Sequence, residues 1–259
     1  AHYSAGATVA TNTDETPLPF SVQAQYAGLD VERVEVLKGP QGTLFGQNAT
    51  GGAINYIDAR PTSSFETGGR LEVDRFERVQ TEAFVSGPLS ETLAARAAVR
   101  IEQGGDWQES ASSDSEMGEA DVLVGRVLLD WKPNDDWTVA LNVNGWKDKS
   151  DVPSAQFLLY EPSIPGTPTD AIYAGLTPTK SDGRAADWTP GNKYERDSRQ
   201  VQASLRADWN ISDALTATSI SNYIDFDDER LVDPDGTTLD NTIFELDGSI
   251  ESFTQEVRL

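Results

Sequence analysis

Strands of about ten residues, joined by connections that alternate between short and long, are the feature that most constrains how this chain can fold. Alternating apolar and polar residues predict strands near residues 66–75, 78–87, 93–102, 120–131, 137–147, 197–210, 215–226 and 249–259. After a tight turn at 76–77, short connections at 88–92, 132–136 and 211–214 alternate with long ones at 103–119, 148–196 and 227–248. Outer-membrane barrels combine short periplasmic turns with longer extracellular loops, whereas a soluble sandwich has no reason to collect its long loops at one end. The sequence therefore predicts an all-β fold containing a transmembrane antiparallel β-barrel.

The predicted strands divide their side chains into an apolar face and a polar face. In 198–209 the apolar face carries Val201, Ala203, Leu205, Ala207 and Trp209, and the polar face carries Gln200, Gln202, Ser204, Arg206 and Asp208. The segments 93–102 and 137–144 show the same division, whereas 215–226 alternates poorly and its facing stays open. This division suits lipid outside and a polar lumen inside. Trp131, Trp137 and Trp209 lie on the apolar face beside short turns, where an aromatic girdle is expected.

Composition removes several classes of function. The 43 acidic and 20 basic residues give a formal net charge of −23, which repels nucleic acid phosphates, so we expect no nucleic acid partner. The chain has no cysteine and one histidine, so neither a zinc site nor a Ser-His-Asp or Cys-His arrangement can be assembled. Counting acids leaves a glycosidase-type carboxylate pair open, but no local pattern singles out two residues. We expect no enzyme, no catalytic residues, no metal site and no cofactor.

A glycine-rich segment, "GPQGTLFGQNATGGAIN" at 39–55, lies before the long strands. Gly46 and Gly51 have the spacing of a nucleotide-binding loop, but Gly52 and Ala53 stand where that loop needs Lys and Ser or Thr. The segment lies in a unit of short strands, residues 1–62, which precedes the long strands of 63–259. An eight-stranded barrel has no room in its lumen for a folded unit of that size.

The residues carry a resemblance to a known family. "DVERVEVLKGPQGTLFGQNATGGAINYIDARPT" at 30–62 resembles the C-terminal half of the plug domain of TonB-dependent outer-membrane receptors. "VSGPLSETLAARAAVR" at 85–100, "LLDWKPNDDWTVALNVN" at 128–144 and "SFTQEVRL" at 252–259 resemble the barrel of the same family. The resemblance implies that 1–62 is a partial plug domain and that 63–259 is the N-terminal part of a barrel. Outer-membrane transporters have about 22 strands and a plugged lumen, so we expect this chain to be a piece of a longer protein.

The resemblance also implies a function for the glycine-rich segment and for the protein. The segment would be compact plug structure in which close backbone approach requires residues without a Cβ; its motif residues are Gly39, Pro40, Gly42, Gly46, Asn48, Gly51, Gly52 and Asn55. The protein would capture a scarce nutrient, most often a ferric siderophore, in the outer membrane of a Gram-negative bacterium. Import would use the TonB, ExbB and ExbD complex, through a region that precedes the residues present here. The alternatives are a passive pore or adhesin and a soluble all-β carbohydrate-binding module.

Charged residues of the plug and the barrel wall form the candidate site. Arg33, Glu35 and Lys38 are expected to face lumen-side charges of the wall, namely Arg96, Arg100, Glu102, Arg126, Asp130, Arg206 and Asp208. Ion pairs between the two groups could hold the plug, because a desolvated pair is strong only while both partners remain; solvated charges lining a wet lumen are the alternative. The loops 103–119 and 227–248 are strongly acidic and could bind divalent cations, attract a cationic ligand or simply be solvated. The ligand-binding residues stay unknown.

Overall fold

The computed structural model describes residues 7–42, 48–162, 165–176, 178–179 and 182–259. The first unit along the chain is a four-stranded sheet, here called the plug sheet. It contains β1 (Val9–Thr13), β2 (Thr16–Leu18), β3 (Val31–Lys38) and β4 (Gly52–Asp58), with a 3₁₀ helix at Ser21–Ala24. The strand order is β2-β1-β4-β3, and β1 runs parallel to β4.

The second unit is an eight-stranded sheet, here called the wall. Its strands are β5 (Glu66–Val73), β6 (Val79–Pro88), β7 (Leu93–Gly104), β10 (Ala120–Asn134), β11 (Trp137–Asp148), β13 (Arg196–Ser212), β14 (Leu215–Val232) and β15 (Phe244–Arg258). Every neighbouring pair is antiparallel, and the order follows the sequence from β5 to β15. Within the described residues β5 and β15 are the two edges, so the wall is an open sheet that forms part of a barrel.

The long connections contain small elements of their own. A three-stranded sheet joins β8 (Gln108–Ser110), β9 (Glu116–Met117) and β12 (Ala185–Ala186), and a short helix α1 spans Pro168–Tyr173. Of the described residues, no helix has both the length and the apolar character needed to cross a bilayer.

The predicted strands are present, but β14 and β15 are longer than the alternation indicated by about five residues each. β14 continues to Val232 and β15 begins at Phe244, so part of the predicted loop 227–248 is strand. The ladder pairs Asp227 with Ser249 and Glu229 with Asp247. Backbone hydrogen bonds hold this extension whatever the side chains are, so the end of the apolar alternation does not mark the end of the strands.

The two faces of the wall differ as the sequence predicted. Val201, Leu205 and Trp209 on the outward face are between 41% and 51% exposed, whereas Gln200 and Gln202 on the inward face are 3% and 2% exposed because the plug sheet covers them. The facing of β14 is now defined: Ile220, Ile224 and Phe226 point inward and are buried. Ile224 and Phe226 form one apolar cluster with Leu18, Leu29, Ala98, Val122, Val124 and Trp146.

The tryptophans beside the short turns form a row on the outward face. Trp137 and Trp209 are registered opposite each other, with ring centroids 5.4 Å apart and ring planes 6° from parallel. Trp131 on β10 is 46% exposed. Exposed aromatic rings at one level of a barrel mark the interface between lipid and water, so the short turns lie at that interface.

Candidate functional site

The candidate site is the interface between the plug sheet and the inward face of the wall. Turn residues and strand ends of the plug sheet bring charged side chains to this interface. Asp14, Glu15 and Asp30 have positive φ angles of 46°, 67° and 46°, a region that non-glycine residues rarely occupy and that usually costs free energy. The turns therefore hold these three carboxylates in fixed positions against the wall.

Asp30 and Arg96 form a bidentate ion pair between the plug sheet and β7. The guanidinium of Arg96 donates from Nε to Oδ2 at 2.7 Å and from Nη2 to Oδ1 at 2.6 Å. Both side chains are 8% exposed. The same guanidinium lies 4.0 Å from the centre of the Phe84 ring. Bidentate charged hydrogen bonds and a cation above an aromatic face are both favourable, so Arg96 is held on two sides.

Arg126, on β10, connects the same carboxylate to the end of the plug sheet. Its guanidinium forms an ion pair with Asp58 at the end of β4, and Nη2 lies 3.5 Å from Oδ2 of Asp30. The Asn142 amide on β11 donates to the other oxygen of Asp58 at 2.7 Å. The Asp58 side chain is 0% exposed and that of Arg126 is 5% exposed. Removing one partner from such a buried group leaves the other charge without compensation.

Burial changes the ionisation of the plug carboxyls. It raises the pKa of Asp58 to about 7, since desolvation outweighs the nearby Arg126 and the negative Asp14 acts in the same direction as burial. Burial also raises the pKa of Asp14, whose Oδ1 accepts a hydrogen bond from the backbone N–H of Asp58 at 3.1 Å. The two carboxyls therefore share a site in which the protonated form is favoured more than in water.

Arg60 and Glu15 extend the ion pairs toward the short-turn end of the wall. Arg60 pairs with Asp130 on β10, and its Nη1 lies 3.8 Å from Oδ2 of Asp14. Glu15 pairs with two wall residues, Arg206 at 3.2 Å and Arg258 at 2.6 Å. These side chains are between 21% and 40% exposed, so each pair contributes less than the buried ones.

At the end of the wall near the long connections, the segment before β3 contacts β7 and β11. The Tyr26 hydroxyl donates to Asp148 at 2.7 Å, and Arg196 pairs with the same carboxylate at 3.1 Å. Burial and the adjacent Asp148 raise the pKa of Tyr26. Arg100 donates to the backbone oxygen of Gly28 at 3.0 Å and pairs with Glu82 at 2.8 Å. Polar contacts with the wall thus flank the plug sheet at both ends.

The glycine-rich motif forms the connection between β3 and β4. The Gly39 N–H donates to the Gly51 carbonyl at 3.1 Å and closes the loop. Gly52 has φ +155°, and a Cβ there would lie 2.5 Å from the Leu37 backbone oxygen, so the backbones approach too closely for any other residue. Asn48 has φ 66°, Asn55 is buried, and Pro40 and Gly42 are exposed. Gly46 lies outside the described residues.

The structure brings only part of the sequence-predicted site together. Arg96, Arg100 and Asp130 face inward, but Arg33 pairs with Glu32 and Glu35 on its own strand instead of with the wall. Arg33 and Lys38 are exposed, because β3 is the edge strand of the plug sheet. The plug residues that pair with the wall are Glu15, Asp30, Asp58 and Arg60, and Asp14 pairs with Arg60 beside them. The sequence did not single out these five residues. Their one signal was position, since they lie in turns, at the end of a strand or just after one.

The acidic loop between β14 and β15 packs against another long connection. Asp233, in the loop between β14 and β15, is 2% exposed. It accepts hydrogen bonds from the Thr189 N–H at 2.8 Å and the Tyr194 hydroxyl at 3.3 Å. Within the described parts of the chain, no group of three or more His, Cys, Asp or Glu side chains could hold a metal ion. Asp233 therefore joins two long connections to each other.

These features define a class of protein. A small glycine-rich sheet lies against the polar inner face of an antiparallel sheet, and the outer face of that sheet is apolar and bordered by tryptophans. This is the arrangement of a plugged outer-membrane barrel, of which the described residues form part.

Comparisons with known proteins agree with this class. The family model of the TonB-dependent Receptor Plug Domain matches residues 9–53. The pesticin receptor of Yersinia enterocolitica is 32% identical over 121 residues, which cover 45% of this chain and 18% of the receptor. The ferripyoverdine receptor of Pseudomonas aeruginosa is 28% identical over 166 residues, which cover 64% of this chain and 19% of the receptor. The chain thus spans less than a fifth of these relatives.

A solved structure shows the same fold. The ferric yersiniabactin uptake receptor FyuA from Yersinia pestis superimposes with a TM-score of 0.75 at 20% identity, covering 96% of this chain and 36% of that one. The chain is therefore related to the TonB-dependent receptors, which confirms the resemblance seen in the sequence. The chain is therefore part of a protein of the Gram-negative outer membrane.

Proposed function

We propose that the complete protein is a TonB-dependent receptor that binds a ferric siderophore and imports it across the outer membrane. The proposal rests on the contact between the plug sheet and the wall, which are joined by buried ion pairs such as Asp30–Arg96 and Asp58–Arg126. A passive pore has no use for such a structure in its lumen. Relatives named for ferripyoverdine and ferric enterobactin support a ferric siderophore as the ligand.

In this proposal residues 1–62 belong to the plug domain and 63–259 to the first part of the barrel. The plug blocks the lumen until the TonB, ExbB and ExbD complex pulls on a preceding segment. Glu15 comes first among the plug residues that form ion pairs with the wall, so its half-exposed pairs with Arg206 and Arg258 would break before the buried ones. Since β1 is hydrogen-bonded to β4 and Asp58 is the last residue of β4, displacement of β1 would then pull Asp58 away from Arg126.

Uptake measurements with the complete receptor test the proposal. The receptor gene is expressed in an Escherichia coli strain that lacks its own siderophore receptors, with and without tonB, and iron-limited growth is measured on a panel of ferric siderophores. We expect growth on at least one ferric siderophore in the tonB-positive strain and none in its tonB-negative twin. Equal growth in both strains would identify a passive pore, and the transport proposal would have to be withdrawn.

A further inference from the structure

A small cavity lies between the plug sheet and the wall, beside the buried ion pairs. Its volume is about 30 Å³. On the plug side it is lined by Gln23, in the 3₁₀ helix, and by Tyr26. On the wall side it is lined by Val124 on β10, Trp146 on β11 and Gln200 on β13. A water molecule needs a cavity of roughly 10–15 Å³, so this cavity has room for one or two.

Three polar atoms of the lining residues have no hydrogen-bond partner within the described parts of the chain. They are Nε2 of Gln23, Nε1 of Trp146 and Oε1 of Gln200. The three residues are 1%, 6% and 3% exposed, so they are shielded from bulk solvent. Buried polar groups are nearly always hydrogen-bonded to protein or to ordered water. The three atoms therefore indicate a partner that is not part of the chain.

Other contacts hold the three side chains in their orientations. The Gln23 amide is fixed because its Oε1 accepts a hydrogen bond from the Phe20 N–H at 3.1 Å. The Gln200 amide is fixed because its Nε2 donates to the Gln23 backbone oxygen at 3.4 Å. The Trp146 ring packs edge-on against the Tyr26 ring, with centroids 5.1 Å apart and planes at 66°. Turning either amide over would break an existing hydrogen bond, so reorientation does not supply the missing partners.

The polarity of the three atoms identifies their partner as water. Trp146 Nε1 and Gln23 Nε2 are hydrogen-bond donors, whereas Gln200 Oε1 is an acceptor. A water molecule can accept from both donors and donate to the acceptor, and buried waters typically make about three hydrogen bonds. An ion of either sign would meet at least one group of the wrong polarity. The charged residues that line the cavity, Asp58 and Arg126, neutralise each other, so no net charge favours an ion.

We propose that one or two structural waters occupy this cavity and join Gln23 of the plug to Trp146 and Gln200 of the wall. The same plug segment is also held by the hydrogen bond from Tyr26 to Asp148. A water bridge is nearly as favourable in enthalpy as a direct hydrogen bond. When the plug moves, bulk water takes over both halves of the bridge, so this contact separates without leaving a buried group unpaired.

A crystal structure of the complete receptor without siderophore, at a resolution that shows ordered water, tests the site directly. We expect electron density for water within hydrogen-bond distance of Trp146 Nε1, Gln23 Nε2 and Gln200 Oε1. A cavity without such density, or one closed by a direct hydrogen bond between Gln23 and Gln200, would overturn the proposal. The receptor is at rest in this experiment, so the outcome is independent of the import proposal.

A tryptophan analogue measures what the water contributes. Trp146 is replaced by 3-benzothienylalanine through amber suppression, which puts sulfur in place of the indole N–H and nearly keeps the shape of the ring. We expect the folding equilibrium constant of the plug, measured by protease accessibility in urea, to fall about fivefold, the effect of one hydrogen bond. An unchanged or higher constant would contradict the proposal, because removing an unpaired N–H from a dry site stabilises the fold.

The matched control places the same analogue at Trp131. This residue is on the outward face of the wall and is 46% exposed, so its N–H takes no part in the contact with the plug. The folding equilibrium constant of the plug should therefore equal that of the wild type. A fall at Trp131 as large as the fall at Trp146 would assign the effect to the analogue itself, and the water bridge would lose its energetic support.

Discussion

Asp58 at the end of β4 and Arg126 in the middle of β10 form an ion pair that is closed to solvent, with 0% and 5% of their side chains exposed. The pair joins residues 68 positions apart in the chain. It is the point at which the plug sheet is most deeply bound to the wall, because Asn142 and Asp30 complete the same cluster.

Replacing Arg126 by alanine should loosen the plug. The change leaves Asp30 without its second cation and Asp58 buried without its main one, and breaking a buried pair costs about 3–5 kcal/mol. We expect the plug to unfold at a clearly lower urea concentration, measured by protease accessibility of the plug in the complete receptor. Arg70→Ala is the matched control. The side chains of Arg70 and its partner Glu72 are 70% and 44% exposed, so this pair should contribute less than about 1 kcal/mol. Equal effects of both variants would contradict the assigned role of Arg126.

The stability of the plug should depend on pH through Asp58. Its pKa is raised to about 7 from a usual value of 3.8, so the folded plug binds the proton more tightly than the unfolded chain does. The resulting stabilisation is complete below about pH 4 and is lost as the pH rises toward 7. The raised pKa of Asp14 acts in the same direction. Urea unfolding of the plug between pH 4 and 8 measures this dependence, and Asp58→Asn should remove most of it; an unchanged slope in that variant would rule out Asp58 as its source.

Gly52 should tolerate no side chain. Alanine there would place Cβ 2.5 Å from the Leu37 carbonyl oxygen at φ +155°, and strain of this kind costs roughly 1–3 kcal/mol. We expect Gly52→Ala to increase proteolysis of the β3–β4 connection in the folded receptor. Gly28→Ala is the control, because a Cβ at Gly28 would meet nothing within 4 Å and its φ lies outside the left-handed region. Similar digestion of both variants would show that the close approach is not needed.

The stacked pair Trp137 and Trp209 should contribute a coupling of its own. Aromatic pairs at such separations are worth about 0.5–1.5 kcal/mol beyond their buried area. A double-mutant cycle with leucine at each position, measured by refolding equilibria in lipid vesicles, should give a coupling in that range. A coupling near zero would mean that the two rings act only as separate anchors at the interface.

The wall could be predicted from the sequence because each strand carries its own signal. Alternation over residues such as Val201 to Trp209 fixes both the strand and its outward face. β14 did not reveal its facing, since Ser219 and Ser221 on its outward face are as polar as Asn222 on the inward one. Only packing against Leu18 and Leu29 distinguishes the two sides.

The site was harder to predict, because its partners are far apart in the chain. Asp30 pairs with a residue 66 positions away, and Glu15 with one 243 positions away. Asp14, Glu15 and Asp30 look like ordinary turn residues in the sequence. Conversely, the alternation in β3 predicted that Arg33 and Glu35 face the wall. β3 is the edge strand of the plug sheet, and Arg33 pairs with its own neighbours instead.

Cross-linking of the plug sheet to the wall tests the central claim most directly. The 259 residues contain no cysteine, so Asp58→Cys with Asn142→Cys can be introduced at two short side chains that are in contact. Each single cysteine variant serves as the control for the lost polar contact. Uptake of radioactive ferric siderophore by cells that carry the complete receptor is measured after oxidation and again after reduction. If the plug must leave the wall during import, the oxidised double variant binds the siderophore without importing it, and reduction restores uptake; undiminished import by the fully cross-linked receptor would contradict the account.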